Sequence, residues 1–207
     1  MQKKNSLLKE VLSWVAYFIF LLCAWLLLTH FFTTATVDGR SMDPNLYNNE
    51  TMLVLKQAKV RHNSVIVFNA NGEDPTVSDT DYYVKRVIGL PGDKIAFRNG
   101  KLYVNNKVAD QSFISKDQLT NGTQYHLGHD NIKNWDISSL SHSKWIYNRN
   151  QTVVPKGKYF VLGDNREISN DSRYWGFVDK DKVMGVAKIF PWSDTKQKQH
   201  NINDLSY

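Results

Sequence analysis

Tyr82-Tyr83-Val84-Lys85-Arg86-Val87-Ile88-Gly89-Leu90-Pro91-Gly92-Asp93 is the stretch on which the fold turns. Aromatic and β-branched residues fill most of its first eight positions, and Leu-Pro-Gly-Asp closes it in a turn. A strand over Tyr82–Gly89 puts Val84, Arg86 and Ile88 on one face and Tyr83, Lys85 and Val87 on the other. Two readings of Lys85 stay open. On an edge strand its head sits in water. On a buried face, desolvation lowers its pKa from the usual ~10.4, at which only about one lysine in 2,500 is neutral at pH 7. A drop of ~3 units makes about a third neutral, and a neutral amine can act as a general base.

Outward from this strand, the flanking sequence also reads as β. Thr51–Lys56 and Ser64–Asn69 are short β-rich runs between polar residues, and Asn69 to Asp81 is a loop rich in Asn, Gly, Asp, Pro and Ser. Ile95–Arg98, the Asn99-Gly100 dipeptide and Leu102–Asn105 form a hairpin pattern, the strongest short-range β signal in the chain. From about 106 to 150 Ser, Asn, Asp, Lys and Gln dominate, interrupted by Phe113, Leu119, Trp135, Leu140 and Trp145; this predicts an insertion with a small core of its own. Tyr159–Leu162 and Val183–Phe190 are further strands, with Gly163-Asp164-Asn165 as a turn between them. The tail from Ser193 is polar and is expected to be poorly ordered.

Val11 to Phe32 carries no formal charge over 22 residues. As a helix it spans about 33 Å, enough for a bilayer core of ~30 Å. Lys3, Lys4 and Lys9 flank its N-terminal end, and nothing basic follows until Arg40. The positive-inside rule then puts residues 1–10 in the cytoplasm and everything after Phe32 outside. A cleaved secretory signal is the rival reading, with Thr33-Thr34-Ala35 as its cleavage candidate, but its apolar core is normally about 7–15 residues long. An uncleaved single anchor is the expectation. The net charge of +6 is spread among charges of both signs, a solvated surface with mild attraction to anionic lipid and not a nucleic-acid footprint. Cys23 is the single cysteine and lies in the apolar run, which excludes an intrachain disulfide and a cysteine-based site outside the membrane.

Gly39-Arg40-Ser41-Met42-Asp43-Pro44 is made of turn formers, so Ser41 is either an ordinary turn residue or a presented nucleophile. A serine nucleophile needs a base within hydrogen-bond reach, and lysine can serve. Gly163–Gly176 is the third cluster, with Asp164, Asn165, Ser169, Asp171, Ser172 and Arg173 in one short segment. His126 and His129, alone in a polar insertion, make a poor metal site. Ser141-His142-Ser143-Lys144 fits the Ser-x-x-Lys signature of penicillin-recognising enzymes, but the partner motifs Ser-Asp-Asn and Lys-Thr-Gly are absent.

The three clusters together resemble the type I signal peptidases, membrane-bound Ser-Lys proteases of exported proteins. Ser41-Met42-Asp43-Pro44-Asn45-Leu46 looks like the nucleophile box, with Asn45 in place of the usual threonine. Tyr83 to Asp93 matches the lysine box, and Gly163 to Gly176 resembles the third box. Asn49-Glu50 and Asn63-Ser64 stand where the family often has Gly-Asp.

The resemblance implies a mainly β fold: a coiled antiparallel β-sheet catalytic domain over 33–105 and 151–193, preceded by one transmembrane helix over 11–32. A small variable subdomain would be inserted at 106–150, with a polar tail over 194–207. It also implies roles. Ser41 would be the nucleophile and Lys85 the general base; Ser169 would orient the lysine amine; Asp171 and Arg173 would pair and brace the site. The oxyanion would be met by the Ser41 backbone N–H and a second donor. Gly39 replaces a serine found in some members, so that donor would be backbone or water. The implied substrates are preprotein signal peptides cut after small residues, A-x-A in type, with no metal or organic cofactor. The expected setting is a bacterial plasma membrane of Gram-positive type, with the lipid bilayer and the translocation machinery as neighbours and the catalytic domain on the extracytoplasmic face.

Overall fold

The computed structural model describes residues 2–127, 130–192 and 195–206, with side chains of the first helix from Lys9 onward. Helix α1 (Gln2–Phe31) leads without a break into strand β1 (Phe32–Thr36). Its segment Lys9–Phe31 is the one helix among the described residues long and apolar enough to cross a membrane. The apolar run therefore does not end as helix at Phe32: that residue opens a strand, pairing with Leu55 across the sheet.

The strands that follow are β2 (Thr51–Leu55), β3 (Val65–Asn69), β4 (Tyr82–Gly89), β5 (Ile95–Arg98), β6 (Lys101–Val104) and β7 (Lys107–Val108). After them come β8 (Tyr125–Leu127), β9 (Asp130–Ile132), β10 (Trp135–Asp136), helix α2 (Ile137–Ser143), β11 (Lys158–Leu162), helix α3 (Ser172–Trp175), β12 (Val178–Asp179) and β13 (Val183–Lys188). The main sheet has seven strands in the order β1-β2-β13-β3-β4-β11-β12, and a second has four in the order β10-β5-β6-β7. Every ladder between these strands is antiparallel. The chain is mainly β, as the sequence predicts.

Strand β4 lies inside the main sheet, between β3 and β11. Both its faces are covered from Val84 to Gly89. Ile88 joins one apolar cluster with Phe97, Phe160 and Leu162. Val84 packs with Met42, Leu46 and Val65, and Val87 with Ile66, Phe68 and Trp175. The interior position decides between the two readings of Lys85, which is 4% exposed.

Two expectations need correction. Among the described residues the 106–150 segment builds no separate core: Tyr125, Trp135, Leu140 and Trp145 enter the cluster of Ile88 and Phe160. Trp135 stacks on Phe97 across the β10–β5 ladder, so widely spaced aromatics in a polar background serve the common core. The tail is not loose either. Its described part forms helix α4 (Lys196–Gln199) and a wider turn over His200–Asp204, and Ile202 is buried beside Met42 and Leu46. Finally, Asn49 and Asn63 have φ of 66° and 62°. These are left-handed conformations that asparagine tolerates better than other non-glycine residues, so asparagine fills the turns where the resemblance leads one to expect glycine.

Candidate active site

The turn after β1 is pinned from below. Met42 and Leu46 are fully buried, and the N–H groups of Asn45 and Leu46 donate to the Met42 carbonyl at 2.9 and 3.0 Å. Arg40 and Asp43 pair at 2.9 Å on the outside. Ser41 is left half-buried at the rim, both a turn residue and a presented one.

Lys85 Nζ donates to Ser41 Oγ at 2.8 Å and to the Val84 carbonyl at 3.1 Å. Burial lowers the lysine pKa to about 8, against the opposing pull of the Asp171 and Asp164 carboxylates. At that value about a tenth of the lysine is neutral at pH 7. The pair has the reach and the proton affinity that an activated serine needs.

The third cluster closes over this pair. The Asn165 N–H donates to the Ser41 carbonyl at 3.0 Å, and Asn165 Nδ2 donates to the Arg40 carbonyl at 3.2 Å. Asp171 accepts from Arg173 Nε at 2.9 Å and from the Gly163 N–H at 3.1 Å. Arg173 is fully buried and also donates to the carbonyls of Gly122, Gln124, Arg166 and Ser169. The two residues tie the 106–150 segment to the loop that covers Ser41.

Two expected donors and acceptors stand differently. The Oγ of Ser169 is buried without a hydrogen-bond partner among the described residues, so no bond to Lys85 is present. The Gly39 N–H donates to Asn48 Oδ1 at 2.8 Å rather than standing open toward the serine. The Ser41 N–H makes no hydrogen bond among the described residues and stays available. His129, one of the two histidines weighed as metal ligands, lies outside the described residues.

A buried polar hub lies behind the reactive pair, and the sequence reading did not find it. Arg86 donates twice to Asp164, at 2.8 and 2.7 Å, with both side chains fully buried. Asn45 donates to Asp164 Oδ2 and to the Phe113 carbonyl, each at 2.8 Å, and accepts from Asn201 Nδ2 at 2.8 Å. The Asn201 carbonyl accepts from Arg86 Nη1 at 2.9 Å. The available signal was a charged residue, Arg86, sharing a strand face with Val84 and Ile88: such a charge needs a buried partner.

A cavity of about 250 Å³ opens beside Ser41 and Lys85, walled by Val37, Tyr82, Val84, Ile168 and Asn170. Val37, Tyr82, Tyr83, Val84 and Ile168 give it apolar surface beside the reactive pair.

The family model for signal peptidase, peptidase S26, matches residues 9–192. Signal peptidase IB of Staphylococcus aureus (strain COL) is 36% identical over 94% of this chain and 96% of its own. Signal peptidase I of Streptococcus pneumoniae serotype 4 is 31% identical over 93% and 98%. A solved signal peptidase I from Enterococcus faecalis V583 shares 29% identity with a TM-score of 0.47, covering 62% of this chain and 97% of its own. With the family model spanning most of the sequence, and relatives aligned almost end to end, this chain belongs to the signal peptidase family, peptidase S26, and is a peptidase.

Proposed function

We propose that the chain removes N-terminal signal peptides from exported preproteins by acyl transfer to Ser41, with Lys85 as general base. The observation that carries this reading is the 2.8 Å contact between Lys85 Nζ and Ser41 Oγ, made by a lysine whose pKa is lowered to about 8. Ser41 Oγ attacks the scissile carbonyl while neutral Lys85 takes its proton. The amine of the leaving chain receives that proton as the C–N bond breaks, and an ester on Ser41 remains. Water then attacks the ester, giving a proton to Lys85, and the signal peptide departs as Ser41 recovers its hydrogen. The Ser41 N–H is the oxyanion donor on this reading; such donors typically contribute ~3 kcal/mol. Asp171 and Arg173 hold the covering loop, and Ser169 within that loop is the positioning residue for the Lys85 amine on this reading.

The apolar cavity at Val37 and Val84, beside Ser41, is the site read here for the small side chains before the cut, the A-x-A pattern. Lys9–Phe31 anchors the enzyme in the bilayer with the N-terminus in the cytoplasm, near the translocation machinery. Protease added outside intact cells should remove the domain and spare the N-terminus.

The decisive test is cleavage of a fluorogenic signal-peptide substrate by the full chain in detergent. Ser41→Ala and Lys85→Ala should each lower kcat/KM by at least ~10³-fold without changing the thermal melt. Full activity in either variant would remove the Ser-Lys assignment.

A further inference from the structure

A second cavity, of about 430 Å³, lies next to the first. The two share Ile168 and Asn170 as a common wall. The second one is lined by Tyr174, Trp175 and Ile146 together with Asp74, Lys144 and Glu167. Ile146 is 66% exposed and Ile168 is 57% exposed. Both isoleucines line this cavity and Ile168 lines the first as well, so an apolar trough adjoins the reactive cleft.

The shared wall is held firmly. The Ser169 N–H donates to the Asn165 carbonyl at 3.0 Å, and Asn170 Nδ2 donates to Asp74 Oδ2 at 2.5 Å. The same carboxylate oxygen accepts from the Tyr83 hydroxyl at 3.1 Å, two residues before Lys85 on β4. Asp74 therefore fixes the ridge between the cavities relative to the lysine strand, and the trough is preformed.

We propose that this cavity is a subsite for the mature part of the preprotein, taking an apolar side chain just after the scissile bond. The inference rests on the proteolytic reading above. Its direction follows from placement. Val37 and Asp38, in the smaller cavity, lie directly after α1 and β1, the side from which a membrane-embedded signal peptide arrives. The larger cavity lies across the ridge, walled by Lys144 and Ile146 of the 106–150 segment. The second cavity, about 430 Å³, has room for a leucine or phenylalanine side chain. The 106–150 segment thereby becomes a specificity element for the released protein.

The test uses one signal sequence followed by Gly, Ser, Asp, Leu or Phe at the first two positions after the cut, with the full chain in detergent. The parent should cleave the Leu and Phe peptides about tenfold better in kcat/KM than the Gly and Asp peptides, a discrimination of the size one apolar pocket gives. Ile146→Glu should bring that ratio below about threefold while Ile146→Leu keeps it. Reading a ratio within each variant cancels any general loss of activity. A parent ratio near one, an unchanged ratio in Ile146→Glu, or a change in preference before the cut instead of after it would each overturn the subsite and leave the peptidase reading standing. Failure of the parent to cut any of the peptides would overturn both.

Discussion

Asn165 holds Ser41 by the backbone: its N–H meets the serine carbonyl at 3.0 Å. The approach of the two loops is possible only because residue 163 lacks a side chain. A Cβ on Gly163 would lie 2.5 Å from the Ser41 carbonyl oxygen and closer still to Ser169 Oγ.

Gly163→Ala should therefore displace the nucleophile loop. A misplacement of ~1 Å at a reacting atom costs about 10²-fold, so kcat/KM should fall at least that far. Parallel kinetics and thermal melts separate this effect from unfolding, and near-normal turnover would show that the loops can give way.

Lys85 sets a pH dependence with a definite sign. Burial disfavours its charged form, so its folded pKa of about 8 lies below the usual 10.5. A general base works when neutral, so on the proposed mechanism kcat/KM should rise with pH through a limb centred near 8. Stability follows from the same shift. Between about 8 and 10.5 the unfolded chain binds more protons than the folded one, so stability rises with pH across that window, and the burial penalty acts in full below it. Lys85→Met should flatten this rise in denaturant titrations at a series of pH values.

Arg86 and Asp164 are a fully buried pair, and either alone would be an uncompensated charge. Arg86→Ala or Asp164→Ala should each cost about 3–5 kcal/mol in equilibrium unfolding. A double change to Met and Leu should be the milder lesion, because it removes both charges together. Equal damage from the single and double variants would contradict this.

The C-terminal segment should matter to the centre of the fold. Asn201→Ala leaves the buried Asn45 Oδ1 without its donor, a loss of about 1–3 kcal/mol. Deleting residues 200–207 should cost more, since it also removes the carbonyl that accepts from Arg86 and the buried Ile202. Urea titration of both variants tests the order.

The residues that could be read in advance are those whose neighbours in sequence explain them. The alternation in β4 and the Asn99-Gly100 turn are local signals, and Ser41, Lys85 and the Gly163–Gly176 cluster stand in recognisable order. What was hidden depends on distant partners. Strand β1 is masked because its Phe32 continues the apolar run that precedes it. The tail reads as loose because Lys198 and Asn201 are polar, yet Lys198 is buried against Glu50 at 2.7 Å and Asn201 against Asn45. Trp135 and Trp145 look like a separate core because hydrophobic spacing carries no record of which sheet they will meet.

The junction at Phe31–Phe32 has a mechanical consequence. Helix passes to strand with no intervening loop, and Lys56 Nζ fastens the joint by donating to the Thr29 carbonyl at 2.8 Å. Such a joint has no slack. Whatever plane holds the helix also fixes the height and tilt of the sheet, and so of Ser41 at its rim. On the proposed function, that makes the helix a ruler as well as a tether, and a bond offered at another depth would miss the serine.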